Sequence, residues 1–252
     1  MSSAGCTIGL GPQGKLVTGA SIYSFSDGTS YLSQGVWYNN APSFEIYDMD
    51  INSGHSANGD YHNHFHSLGL QALLGDNGTD HSPLYGFMND GYPVYGPYQD
   101  EDTLAVSCWQ KRDYNDPVTG CVGGERTCVF VDAYDYTKGT TTASHSGPLL
   151  NSTITTQSGN VISTDSGIYQ QDYFFNATCA AQGGEFLNKN NGHSHDGYGW
   201  HYHITVDLVG TPTYPYMAGP LFYGCFKSST TCRTSVCGDA DGDSTHNCTA
   251  PL

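Results

Sequence analysis

The sequence predicts a mainly β protein, and its composition gives the first two reasons. Among 252 residues there are 19 Tyr, 10 Phe and 3 Trp, and aromatic side chains favour strands. Glycine is abundant at 32 residues while charged residues make up only 13%, a combination typical of strands joined by turns. We expect disulfide-stapled antiparallel sheets, sandwich- or barrel-like, with very little helix.

Two histidine tracts give the third reason, because their side chains alternate with the period of a strand. In Tyr61–His66 the imidazoles of His62, His64 and His66 fall on one face. In Trp200–His203 those of His201 and His203 do the same. Five of the eleven histidines therefore lie in two H-x-H strands.

The other elements follow from local patterns. The run Ile22–Phe25 is β-prone, and Cys128–Tyr134 reads as a strand. Leu68–Leu74 predicts a single helical turn that Gly75 ends. Residues 137–167, rich in Ser, Thr and Gly, have two open interpretations: an exposed, glycosylated linker or ordinary Thr-rich edge strands.

These patterns divide the chain into three predicted segments. Residues 1–51 form an N-terminal strand region packed on the core or on a neighbour. Residues 52–224 form a core that carries both H-x-H strands, and residues 225–252 form a Cys-rich cap.

Each histidine tract is followed by a Tyr-Pro and a Gly-Pro element, at Tyr92–Pro97 and at Tyr214–Pro220. This repetition predicts two duplicated halves whose histidine strands lie side by side about a pseudo-twofold axis.

Nine cysteines without a C-x-x-C pair predict structural disulfides and an oxidising compartment. The odd Cys6 either staples the terminus to the body or reaches a neighbouring molecule. Four N-glycosylation sequons point to the same compartment, at Asn77, Asn151, Asn176 and Asn247. We therefore expect a secreted protein whose signal peptide was removed before this numbering begins.

The formal charge of −16, with eight scattered Lys and Arg, argues against nucleic acid and anionic membranes and favours cations as small partners. No apolar run approaches the length needed to span a bilayer.

Alternating carboxylates at Asp239, Asp241 and Asp243 suggest calcium, but the later EF-hand ligands are missing, so a solvated acidic turn is the preferred interpretation.

The histidine pattern predicts a transition-metal site, with copper or zinc as the preferred ion. Two imidazoles at i and i+2 of a strand reach one ion from the same face, and burying them without an ion would require many separate hydrogen-bond partners. The predicted ligands are His62, His64, His66, His201 and His203, and the accessory candidates are Asp60, His81, Asp90, His193, His195 and Asp196.

The run from Tyr61 to Tyr98, followed by Gly199–His203, Tyr214–Tyr216 and Gly219–Pro220, resembles the YHYH domain family. The resemblance covers about Asn52 to Gly224. Each tract departs from the family's Tyr-His-Tyr-His motif at one aromatic position, as Tyr61-His-Asn-His64 and Trp200-His-Tyr-His203, while the histidines stay. The resemblance implies fold and extracellular setting more than chemistry.

Two roles for such a metal site are open. One is structural: ion, disulfides and glycans stiffen an extracellular protein that self-associates into an oligomer or fibre. The other is a secreted zinc- or copper-dependent enzyme in which three imidazoles leave a coordination position for water. The sequence contains no general-base or nucleophile motif, so we prefer the structural role and leave the enzymatic one as the alternative.

Overall fold

The computed structural model describes residues 7–195 and 197–224. Its strands are β1 (Gly14–Leu16), β2 (Ser21–Ile22), β3 (Ser26–Ser30), β4 (Tyr38–Asn40), β5 (Gly54–Ala57), β6 (Asp60–Asn63), β7 (Leu84–Met88), β8 (Pro93–Tyr95), β9 (Tyr98–Asp100), β10 (Thr103–Leu104), β11 (Trp109–Lys111), β12 (Cys128–Asp132), β13 (Asp135–Thr142), β14 (Thr153–Thr155), β15 (Val161–Ser163), β16 (Tyr173–Phe175), β17 (Gly192–His195) and β18 (Gly199–His203). The α-helices are α1 (Ala41–Glu45), α2 (Leu68–Leu74) and α3 (Ala177–Ala180), and the 3-10 helices are Tyr31–Ser33, Ile46–Asp48 and Gln170–Asp172.

The predicted fold class is confirmed: 35% of the described residues are in strands and 12% in helices, in several antiparallel sheets. The barrel alternative is wrong, because the described strands form no closed barrel. Antiparallel pairing is also not universal, since β2 runs parallel to β6 and β8 parallel to β18. Within the described part of the chain, no helix is long and apolar enough to cross a membrane.

The chain folds into two compact units that are interleaved along the sequence. Among the described residues, 7–24, 49–108 and 177–224 form the first unit, and 25–48 and 109–176 form the second. The predicted segments were contiguous, whereas the first unit gathers three separate stretches. Residues 225–252, the predicted cap, lie outside the described residues together with Cys6, Asp196, Asn247 and the acidic run at Asp239–Asp243.

An eight-stranded sheet forms the first unit, in the order β17-β18-β8-β7-β1-β2-β6-β5. One face packs on the hydrophobic core, where Ile22, Val94 and Tyr202 are fully buried and α2 contributes Leu70. Because side chains alternate along a strand, the residues next to these three point to the opposite face. That opposite face carries the histidines.

The two halves of this sheet are related by a pseudo-twofold axis at the β1–β7 pair. There Lys15 pairs with Phe87, with Gly14 opposite Met88 on one side and Leu16 opposite Gly86 on the other. A twofold rotation about the Lys15–Phe87 pair therefore places each strand on the other with the same register. On either side come an antiparallel partner (β2 or β8), a parallel histidine strand (β6 or β18) and an antiparallel edge strand (β5 or β17). The sheet is therefore a duplicated four-strand arrangement.

The predicted duplication was correct in kind but wrong in its details. The Tyr92–Pro97 element does not follow the first histidine strand in its own half; it contains β8, which pairs with the second histidine strand β18. The counterpart of Pro93–Tyr95 is the segment 21–23, which pairs with β6 and carries no proline. The repeated Tyr-Pro and Gly-Pro elements therefore did not mark the repeat.

Local sequence signals predicted the bounds of helix α2 correctly but not those of the strand that begins near Ile22. Ser67 Oγ accepts a hydrogen bond from the Leu70 amide at 3.2 Å, and Gly75, at φ +67°, ends the helix as predicted. The strand predicted over Ile22–Phe25 stops at Ile22 instead. The next strand begins at Ser26, and the chain changes units between residues 24 and 25.

The second unit has its own core, built around the buried ion pair between Arg126 and Asp172. Arg126 donates from Nε to Asp172 Oδ1 and from Nη2 to Oδ2, both at 2.9 Å, and Tyr114 donates to the same carboxylate at 2.6 Å. The Thr-rich stretch contributes strands β13, β14 and β15, in agreement with the edge-strand interpretation.

Two disulfides are described, one in each unit. Cys108–Cys179 joins residues 71 apart in the first unit, and Cys121–Cys128 closes a short loop in the second. The expectation of structural disulfides is therefore met among the described cysteines.

Candidate metal centres

The first histidine group consists of His55, His62 and His64, from one edge of the sheet. His55 on β5 pairs directly with His62 on β6, and His64 follows the end of β6. The Nε2 atom of His64 lies 3.1 Å from that of His62 and 3.4 Å from that of His55. Three imidazole nitrogens thus converge within one small volume.

The second histidine group consists of His81, His201 and His203, near the opposite edge. His201 and His203 lie on β18, and His81 comes from the loop before β7. The Nε2 atom of His201 lies 3.0 Å from that of His203 and 3.4 Å from that of His81. All three side chains are buried.

Backbone carbonyls fix which nitrogen of each ring carries the proton. A carbonyl only accepts hydrogen bonds, so an Nδ1 bonded to it must be the N–H. This contact recurs in five pairs: His62 with Asp60, His64 with Ser24, His81 with Ser82, His201 with Gly199 and His203 with Gly96. In each neutral ring the lone pair therefore lies on Nε2, the atom that faces its neighbours.

Lone pairs that face one another at 3.0–3.4 Å repel unless a cation lies between them. Zinc binds imidazole nitrogen at about 2.0–2.1 Å, which places two nitrogens of a tetrahedral shell about 3.3 Å apart. The observed separations match that value. The carbonyl contacts are also the usual outer partners of metal-bound histidine, since they fix the ring orientation.

Burial keeps the second group neutral. It lowers the pKa of His201 to about 4, with the neighbouring histidines acting in the same direction. It also holds the pKa of His203 well below the ordinary value, and the pKa values of His81 and His193 are lowered for the same reason. At neutral pH these rings therefore carry one proton, on Nδ1, and present an Nε2 lone pair to one another.

The two groups are separate sites, which corrects the prediction of one two-strand site. Strands β6 and β18 are not neighbours: β2, β1, β7 and β8 lie between them. Five strand spacings amount to about 24 Å along the sheet. The pseudo-twofold axis relates the two tracts but keeps them apart, because it passes between β1 and β7.

His66 does not join its two tract neighbours. Strand β6 ends at Asn63, so the alternation that placed His66 beside His62 and His64 is lost. The His66 ring instead lies 6.4 Å from the Tyr85 ring, and burial lowers its pKa. Its Nε2 atom is buried without a hydrogen-bond partner among the described residues.

The predicted accessory residues take different places. Asp60 supplies the backbone acceptor for His62, while its carboxylate accepts hydrogen bonds from Ser21 and Tyr23. Asp90 lies on the core face, where Tyr202 donates to it at 2.6 Å, and burial raises its pKa. His81 is a full member of the second group, and His193 and His195 lie on the adjacent edge strand β17.

Sequence reasoning missed His55, although a signal for it was present. The tripeptide Gly54-His-Ser56 recurs as Gly192-His-Ser194, and each copy precedes a histidine strand by a few residues. In the structure these tripeptides are the edge strands β5 and β17. The repeat that marks the duplication was this tripeptide.

The fold and these groups define a disulfide-bonded β protein with two clusters of converging imidazoles. The chain belongs to the YHYH protein family, whose model matches residues 2–141. This match confirms the family but not the predicted extent of about Asn52 to Gly224. It begins at residue 2 and contains the Tyr61–His64 motif, and it ends before the second tract, Trp200–His203. Neither the curated proteins nor the solved structures include a match to the chain.

Proposed function

We propose that this protein is a secreted metal-binding protein that holds one transition-metal ion, copper or zinc, at each histidine group. The observation that carries the proposal is the arrangement of the rings. The Nε2 atoms converge at 3.0–3.4 Å. In His62, His64, His81, His201 and His203 the Nδ1 proton is donated to a backbone carbonyl. An ion satisfies all the lone pairs of a group at once, whereas separate donors would each need their own space.

The role we propose for the ions is structural. The second group joins His81 to His201, which are 120 residues apart in sequence, and thereby ties a loop to the end of the sheet. The first group joins the edge strand β5 to β6 through His55 and His62. Each ion would thus stabilise one end of the sheet, where the edge strand has backbone hydrogen bonds to a neighbouring strand on one side only.

Secretion and glycosylation are supported by the disulfides and by the positions of the sequons. Disulfides persist in oxidising compartments, and each of the two described disulfides joins cysteines of its own unit. Asn77 and Asn151 are exposed and Asn176 is partly exposed, so all three are reachable by a glycan. Treatment with an N-glycosidase should lower the mass of the native protein, and an unchanged mass would contradict glycosylation.

The proposed structural role includes self-association of the protein into oligomers or fibres. The sheet has two edge strands, β5 and β17, and an edge strand accepts a strand from another molecule. Sedimentation over a wide concentration range should show oligomers that survive dilution. A single monomeric species at every concentration would remove this part of the proposal and leave metal binding intact.

The direct test is elemental analysis of protein purified without added metal and without chelator. We expect about two equivalents of copper or zinc per chain, because the two groups cannot share one ion. Dialysis against a chelator, followed by titration with Zn²⁺ or Cu²⁺, should restore the same number. Protein that neither contains nor takes up metal would overturn the proposal.

A further inference from the structure

His193 occupies the position in the second half of the sheet that His55 occupies in the first. His55 pairs with His62 across β5 and β6, and His193 pairs with His201 across β17 and β18. In the first half this position supplies a member of the histidine group. In the second half the third member is His81, so His193 is an additional imidazole at an equivalent place.

The ring of His193 has the same arrangement as the ligand rings. Its Nδ1 donates to the Gly184 carbonyl at 2.9 Å, which leaves the lone pair on Nε2. That Nε2 atom is buried and has no hydrogen-bond partner among the described residues. The ring centre lies 5.0 Å from those of both His201 and His203.

Burying an acceptor without a donor destabilises the folded protein, so a partner for this atom is expected. We propose that His193 is the fourth ligand of the second group, which makes that group a closed site of four imidazoles. This inference rests on the proposed function. His193 lies outside the cluster of three nitrogens, whose ligand atoms are all within 4.8 Å of one another. Because β17 is an edge strand with β18 as its one neighbour, a small shift of the ring toward an ion would not displace a second strand.

His195 is the competing residue, and the geometry favours His193. The ring of His195 is 5.5 Å from that of His81, and its Nδ1 is also buried without a partner among the described residues. Its counterpart in the first half is Ala57, which cannot bind metal. His193 therefore has an equivalent ligand in the other half, and His195 has none.

A closed shell has a chemical consequence. Zinc in structural sites is bound by four protein ligands, whereas catalytic zinc keeps one position for water. With His193 bound, the second group has no position for an outside ligand. The site then fastens the sheet and does not activate a substrate.

The test uses Co²⁺ as a spectroscopic probe and azide as an outside ligand. The full chain carrying H62A/H64A removes the first group, so that the visible spectrum reports the second group alone. We expect this parent to bind one Co²⁺ with an intense tetrahedral spectrum that azide does not change. Adding H193A should weaken Co²⁺ binding roughly 100-fold or more and create an azide-dependent spectral shift.

Three further variants complete the design. H195A tests the competing residue, and H145A alters an exposed histidine of the second unit, so both should behave like the parent. H193Q, which keeps the size of the side chain, should reproduce H193A and excludes a packing effect. An azide-sensitive parent, or an H195A variant that behaves like H193A, would overturn the inference while metal binding stands. A parent that binds no Co²⁺ would overturn the proposed function itself.

Discussion

The two halves of the eight-stranded sheet place histidines at equivalent positions but surround them differently. His55, His62 and His64 in the first half correspond to His193, His201 and His203 in the second. Each ring at the parallel strand bonds a carbonyl at an equivalent position, such as Ser24 for His64 and Gly96 for His203. The shared backbone contacts show that the duplicated fold itself orients the rings.

The side chains around each group have diverged. In the first half Lys15 donates to Ser21, and Ser21 donates to Asp60, which forms a polar network beside His62. At the corresponding positions the second half has Phe87, Pro93 and Gly199, and it also contains His81 and His195. One scaffold therefore carries a polar, smaller group and a more buried, histidine-rich one.

The largest expected effect is the separate loss of each ion. H62A/H64A should lose one of the two metal equivalents, and H201A/H203A should lose the other, because each pair removes two converging nitrogens. Elemental analysis of the purified variants measures this. H66A is the control and should keep both ions, since His66 lies outside both groups. Loss of both ions from either double variant would mean that the halves form a single site.

The next effect is on stability, where the two groups should differ. The second group links residues 120 apart, and the first links residues 9 apart. Closing the longer loop, between His81 and His201, restricts the unfolded chain more. The Cys108–Cys179 disulfide reduces this difference because it already shortens the chain between those two histidines. We expect metal to stabilise through the second group by about 1–2 kcal/mol more than through the first.

Thermal unfolding with and without chelator, in each double variant, separates these contributions. The variant that keeps only the second group should show the larger chelator-induced fall in Tm. Equal falls would contradict the loop-closure argument, and the comparison must use the same free metal concentration because ligand stabilisation depends on it.

A residue exchange between the halves tests their packing. A Cβ at Gly96 would meet Asp76, Tyr85 and Ser82, whereas the equivalent Ser24 already carries a side chain. G96S should therefore destabilise the protein by about 1–3 kcal/mol and weaken metal binding at the second group only.

The reverse change, S24G, should cost no more than about 1 kcal/mol. It removes the hydrogen bond from Ser24 Oγ to the Gly9 carbonyl and creates no clash. Urea unfolding of both variants measures the difference. Equal losses in the free energy of unfolding for G96S and S24G would contradict the expected steric clash of a side chain at Gly96.

The smallest effects should come from the aromatic rings that lie flat on the imidazoles. Tyr23 stacks on His62 with ring centres 3.7 Å apart, and Tyr198 stacks on His81 at 3.8 Å. Replacing either by Ala removes a stacking contact of about 0.5–1.5 kcal/mol, so metal affinity should fall about 2–10-fold at one group only. Competition titrations with a chelating dye measure this, and an effect of Y23A at the second group would contradict the separation of the sites.

Much of the fold could be predicted because it depends on local patterns. Aromatic and glycine content predicted strands, and the helix over Leu68–Leu74 followed from its apolar run and Gly75. The face shared by His201 and His203 followed from strand alternation over residues 199–203. The same rule failed at His66, because the strand that carries His62 ends at Asn63 and the sequence gives no signal for that end.

The sequence by itself determined the strand periodicity that places alternate histidines on one face and the family to which the chain belongs. It also singled out His62, His64, His201 and His203 as members of the histidine groups. Only the tertiary structure decided that the two tracts lie at opposite ends of one sheet and that His55 and His81 complete them. The physical reason is that strand order and register depend on contacts between residues far apart in the chain. His81 and His201, 120 positions apart in the sequence, meet because β7, β8 and β18 are neighbours.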